Sequence, residues 1–310
     1  MDKKKIDMQK LLAPAALVVL YVFFSFVGNN FFSLDTAKNI LESSYYIGLM
    51  AFGVTFIIIT GGIDLSLGTV MMCSALLGAY TFKQGWPLLL SVVLTVLVGI
   101  VFGALNGTMI AKLKLPPFIA TLGTMKIFRS VTQQMTKTFN PEVPAAFKQI
   151  ASFKIGGQVV LPIIYWVAIV MIMLVIFKKT AFGRQTIAIG SNERAAKLSG
   201  IPVAKVKLNI YALSGVMCAI AAIIYIARIG SMDFANAGSG YEMDAIAAVV
   251  VGGTSMAGGR GSLVGAFIGM LIIGVMNNIL NTVGVPTFLC EAVKGLIIIF
   301  AVLLQRKDNG

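Results

Sequence analysis

Long apolar runs recur along the whole chain, each ended by glycine, proline or charge. They fall at about 11–27, 45–60, 64–82, 87–111, 116–135, 161–177, 208–228, 244–258, 262–282 and 287–304. Most approach the roughly 20 residues that an α-helix needs to cross a hydrocarbon core about 30 Å thick. The pattern predicts an all-α integral membrane protein of about ten transmembrane helices, folded as one unit over residues 1–310 with no room for a large soluble domain. Two connections are long. The one at about 136–160 holds Pro141, Pro144 and Gly156-Gly157, which predicts irregular structure. In the other, at about 178–207, the stretch Asn192 to Ser199 reads as a short helix stopped by Gly200, with Pro202 just beyond.

Composition agrees with a lipid solvent: 58% of residues are hydrophobic, 12% are charged, and the mean hydropathy is +0.91. A soluble domain has about 25% charged residues. The net charge of +13 would fit a nucleic-acid binder only if it clustered on one folded face. Instead the basic residues sit in the gaps between apolar runs, where they report topology, because short cytoplasmic loops carry the excess of Lys and Arg. With the N-terminus placed inside, 16 of the 25 fall on the inner side, 6 on the outer, and Lys126, Arg129 and Lys294 within spans. Both termini are therefore expected in the cytoplasm. The first run is aromatic near its end and is followed by Phe31-Phe32 rather than by small residues at a cleavage site, so it reads as an uncleaved span and not a secretory signal.

Candidate chemistry is sparse. The sequence has no histidine, which removes Ser-His-Asp triads, His-ligated metals and His proton relays. Cys73, Cys218 and Cys290 lie in apolar stretches without metal-ligand spacing and read as small packing residues. No metal or cofactor is expected. The segment Gly61-Gly62-Ile63-Asp64-Leu65-Ser66-Leu67-Gly68 interrupts an apolar region with a carboxylate. Asp64 or Ser66 either caps the next helix or belongs to a path or gate, since ionisable groups in spans face cavities or partners; both roles can hold together. Lys126 and Arg129 lie three apart on one helical face and either snorkel to the surface or pair with Asp64, Glu242 or Asp244. The stretch Gly252–Gly261 is rich in glycine, but no Gly-Lys-Ser/Thr triplet occurs in the chain, so any ATP hydrolysis is expected from another polypeptide. Gly103-Ala104-Leu105-Asn106 recurs as Gly274-Val275-Met276-Asn277, and Leu115-Pro116-Pro117-Phe118 as Val285-Pro286-Thr287-Phe288, in opposite predicted directions. That is either an inverted repeat, with Asn106 and Asn277 near the path between halves, or chance similarity between apolar helices.

Four separated stretches carry a family resemblance: Gly61 to Ser66; Tyr241-Glu242-Met243-Asp244 running on to Gly252-Gly253-Thr254-Ser255; Phe118-Ile119-Ala120-Thr121-Leu122-Gly123-Thr124-Met125; and Tyr211-Ala212-Leu213-Ser214-Gly215. In this order they resemble the permeases of ribose-, galactose- and xylose-type ABC importers over nearly the whole chain. Glu193-Arg194-Ala195-Ala196 with Gly200 is similar to the coupling motif of importer permeases, with Arg194 in place of the first Ala.

The resemblance implies a type II importer-like permease of the bacterial inner membrane that translocates a pentose or hexose and is not itself an enzyme. Its partners would be a second permease copy or paralogue, two cytoplasmic ATP-binding cassette subunits docked on 178–207, and an extracytoplasmic sugar-binding protein. Tyr241, Glu242 and Asp244 are expected near the outer end of their span, where a sugar arrives. An ion-coupled secondary transporter shares inverted repeats and broken helices but needs no docking loop. A membrane-embedded enzyme needs a nucleophile–base constellation that the sequence lacks.

Overall fold

The computed structural model describes residues 8–27, 31–136, 148, 154–155, 158–159, 161–231, 233, 236–286, 289–296 and 299. Helix α1 covers Met8–Val27. Helix α2, Leu34–Ile59, starts well before the expected 45, because Ser33 is extended and its side chain accepts the Thr36 N–H at 3.1 Å. This early part carries Asp35, Lys38, Asn39 and Glu42, which hide the apolar period. Its Ile40 nevertheless packs in a buried cluster with Phe31, Val275 and Ile279. After Thr60 the chain turns through Gly61 at φ +74°, a conformation that glycine adopts without a Cβ penalty. Helix α3 is Leu67–Lys83, so Asp64 to Ser66 stand outside it rather than opening it.

Helices α4, Leu88–Ala111, and α5, Pro117–Met135, follow. Most of the 136–160 connection lies outside the described residues; within it Lys154–Ile155 (β1) and Gln158–Val159 (β2) pair antiparallel. The 178–207 connection is more ordered than the sequence predicts. Helix α6, Leu161–Lys179, meets α7, Ala181–Ser191, at a 64° bend, where the Thr180 hydroxyl accepts the Gly183 N–H. Helix α8, Glu193–Leu198, is capped by Asn192, whose side chain accepts the Ala195 N–H at 3.0 Å, and Gly200 beyond it has φ +81°. Helix α9 is Val203–Ile229 and α10 only Tyr241–Val251, shorter than the expected 244–258 run because the chain turns at Gly252-Gly253. Helix α11 is Leu263–Thr282, and residues 289–296 are helical again. The repeat residues Thr287 and Phe288, both chain ends and most of the 287–304 run fall outside the described residues.

Among the described residues, four helices are long and apolar enough to cross a membrane: α2, α4, α9 and α11, or five if the bent pair α6–α7 is one span. The others are shorter or more polar. Eleven residues in α10 cover only about 16 Å at 1.5 Å per residue, half of a hydrocarbon core.

Helices α2 and α9 lie side by side at the centre, α4 packs on α9 and α3, and α11 packs on α2 and α10. The apolar stretch of α2 is 83% buried, whereas that of α4 is 22% buried and turns Leu89, Leu97 and Val101 outward. Lipid tails are as apolar as leucine, so close backbone approach rather than water exclusion drives such helices together. The α4–α9 contact shows this: Gly99 and Gly215 face each other backbone to backbone, and Gly103 lies against the Tyr211 carbonyl, with no room for a Cβ at any of the three.

Candidate functional site

The predicted residues divide into three groups. The first sits at the break between α2 and α3. Asp64 is 3% exposed, and one of its carboxylate oxygens accepts both the Ser66 N–H at 2.8 Å and the Ser66 hydroxyl at 2.6 Å. Because that hydroxyl proton is given to Asp64, Ser66 Oγ accepts from Asn106 Nδ2 at 2.8 Å. The Asn106 amide orientation follows from this, and among the described residues its buried Oδ1 has no protein partner. Thr121 Oγ1 of α5 accepts the Leu65 N–H at 3.1 Å. The break is thus held from α4 and α5 by hydrogen bonds that lipid cannot replace. Asp64 holds the turn that leads into α3 through its two bonds from Ser66, while Ser66, at the N-cap position, makes no side-chain capping bond.

The second group lines a cavity of about 680 Å³ bounded by α2, α9, α10, α11 and the helical run 289–296. Asp244, 5% exposed at its side chain, is ion-paired with Lys294 Nζ at 2.9 Å and accepts from Asn277 Nδ2 at 3.3 Å. Lys294 also reaches Glu291 at 2.9 Å. The Tyr241 ring lies 4.8 Å from that of Tyr46, and its hydroxyl is 3.4 Å from the Tyr225 hydroxyl. Arg228 on the rim pairs with Glu42 at 3.5 Å.

Glu242 is not part of the cavity wall. Its carboxylate stands beside Gly68, where an added Cβ would come within 2.6 Å of Oε2. Gly68, second residue of α3, and Gly238, just before α10, are in direct backbone contact. The N-termini of two short helices therefore meet between the cavity and the Asp64 cluster. Pairing of Arg129 with Asp244 is not found: Lys294 occupies Asp244, and Arg129 donates to the Ala237 carbonyl at 3.1 Å. Lys126 is exposed.

The third group is at the far end of α2 and α9 from the cavity. Glu193 pairs with Lys207 at 2.7 Å; Arg194 and Ala195 are exposed, Ala196 is buried, and Leu198 is 90% exposed. The end of α7 is clasped to the end of α2: Gly190 abuts the Ile59 carbonyl and Gly259, and that carbonyl accepts the Gly259 N–H at 2.8 Å. From Ile59 the chain runs directly into the Asp64 turn.

Sequence reasoning missed Tyr46, Tyr225, Asn39 and Asn278. It noted Lys294 without assigning a partner, although a lysine inside a span demands a counter-charge.

A polar cavity and a pair of interrupted helices within an apolar helical body define a membrane-embedded transport protein. The sequence profile described as branched-chain amino acid transport system / permease component matches residues 36–302, and the chain belongs to that family, whose members are permease subunits rather than enzymes. It is 44% identical to the ribose import permease protein of Bacillus subtilis, over 98% of this chain and 94% of that one. It is 36% identical to the fructose import permease protein of Rhizobium meliloti, over 95% and 86%. To the xylose transport system permease protein of Haemophilus influenzae it is 33% identical, over 99% and 98%. No solved structure matches the chain.

Proposed function

We infer that the chain is the membrane-spanning subunit of an ATP-driven importer that carries a monosaccharide of the ribose, fructose or xylose kind into a bacterial cell. Residues 1–310 form one permease domain in the cytoplasmic membrane, with both termini cytoplasmic and the cavity open to the outside. Asp64, Ser66, Asn106, Tyr241, Glu242, Asp244 and Asn277 then line or gate one path, which runs from the cavity past the meeting of α3 and α10 to the Asp64 turn. Short helices whose ends meet inside the bilayer are the construction that transporters use where substrate passes.

The observation that carries the sugar reading is the charge state of the cavity wall. Arg228 is matched by Glu42, and Lys294 by Asp244 and Glu291. A zwitterionic amino acid needs a free charge of each sign, whereas a sugar needs neutral donors and acceptors. The names of the relatives point the same way.

Reciprocal packing supports the inverted repeat and a ten-span reading in which α3, α5, α10 and the C-terminal run count as partial spans. Helix α4 rests on α9 and α3, as α11 rests on α2 and α10, and Asn106 serves the Asp64 turn as Asn277 serves Asp244. Fuel comes from separate ATP-binding cassette subunits, one on the α8 surface of each of two permease copies, where Leu198 offers an apolar knob on a polar helix. A binding protein delivers sugar outside.

Vesicles holding the assembly test this. ATP-dependent monosaccharide uptake is expected, and Glu193→Lys is expected to abolish it. Uptake driven by a proton or sodium gradient without ATP would overturn the reading in favour of a secondary transporter.

A further inference from the structure

We propose that the cavity between α2, α9, α10 and α11 is a monosaccharide-binding site contained within a single permease chain, with the carboxamides of Asn39 and Asn278 as its hydroxyl-recognising groups and the Tyr46–Tyr241 ring pair as its apolar platform. This rests on the sugar-import reading and adds where the sugar sits and what selects it.

Three observations carry it. The first is size: about 680 Å³ lies within the roughly 300–1,000 Å³ typical of small-molecule sites. The second is the inventory of free hydrogen-bonding groups. Lys294, Asp244, Arg228 and Glu42 engage one another, Ser43 Oγ donates to the Asn39 and Ile40 carbonyls, and Thr282 Oγ1 donates to the Asn278 carbonyl. Among the described residues, the side-chain amides of Asn39 and Asn278 have no protein partner, and they reach the cavity from two different helices. Each offers one acceptor and two donors, which suits adjacent hydroxyls that both donate and accept. The third is aromatic. The Tyr46 and Tyr241 rings are 4.8 Å apart at 34°, with Tyr225 edge-on to Tyr46 at 5.3 Å. Such a cluster gives a sugar's C–H face an apolar surface while its hydroxyls meet the amides. Anionic ligands lack a partner here, since Arg228 and Lys294, the cations on the wall, are both paired and the carboxylates that pair them, Glu42, Asp244 and Glu291, outnumber them by one.

All of these groups belong to one chain, so the site is complete without a second copy. The test is calorimetric titration of the purified permease in lipid nanodiscs with D-ribose, D-fructose, D-xylose and L-valine. Expected are one monosaccharide bound per chain, no response to L-valine, and binding weakened about tenfold by Asn39→Ala or Asn278→Ala, the loss of one hydrogen-bonding group. The same variants, in the reconstituted assembly, raise KM for uptake while thermal stability stays unchanged. One sugar per two chains, or binding and KM that both ignore the two substitutions, would overturn the site and leave sugar import standing. An assembly that imports L-valine and no monosaccharide would bring down both.

Discussion

Lys294→Met is expected to be among the most damaging single changes to this protein's stability, and Asp244→Asn to relieve it. Lys294 Nζ lies 2.9 Å from Asp244, with side-chain exposures of 12% and 5%. Removing the lysine leaves a buried carboxylate whose remaining partner is the Asn277 amide at 3.3 Å. Stranding one member of a buried pair costs about 3–5 kcal/mol. The reverse change, Asp244→Asn alone, costs less, because Lys294 keeps Glu291 at 2.9 Å, and Glu291 is 52% exposed. With both changed, no charge is stranded and most of the loss returns, an interaction that a double-mutant cycle isolates. The surface pair Glu193–Lys207, with Glu193 55% exposed, is the control: Glu193→Gln costs under about 1 kcal/mol. SDS-titration unfolding in mixed micelles measures all four. If Lys294→Met proved no worse than Glu193→Gln, or if the double variant lost the sum of its singles, the buried-pair argument would be wrong.

Asp64→Ala strands the Ser66 N–H and hydroxyl, at about 1–3 kcal/mol for each unsatisfied donor, and is expected to abolish uptake; Asp64→Asn still accepts from Ser66 and keeps a measurable part. Gly190→Val drives a side chain into the Ile59 carbonyl and Gly259, and should uncouple ATPase turnover from uptake, read as ATP hydrolysed per sugar carried. Leu198→Asp, at a position 90% exposed, is expected to leave the permease as stable as before while its co-purification with the ATPase falls at least several-fold.

Much of the chain was legible because membrane insertion is dictated by local composition. A bilayer leaves the backbone of an apolar run no hydrogen-bonding choice but helix, so the runs at 87–111, 116–135 and 262–282 come within a residue or two of α4, α5 and α11. The Asp64 segment was conspicuous as a carboxylate among apolar residues, and Gly200 and Asn192 announced the ends of α8 by their own backbone and side-chain chemistry. Tertiary structure decided the rest. Helix α2 is capped locally by Ser33, but its polar first turns are held to the body by partners distant in sequence, Ile40 by Val275 and Ile279 and Glu42 by Arg228. In the sequence Arg129 was a candidate partner for Asp244 and Lys294 had none assigned; that Lys294 takes the place depends on how α10 meets the run 289–296, a relation between distant segments. The cavity is drawn from five segments separated by up to about 250 residues, so no local pattern marked Asn39 or Asn278. Residue chemistry specified that the chain lives in lipid and where it breaks; only packing determined which breaks, charges and amides face one another.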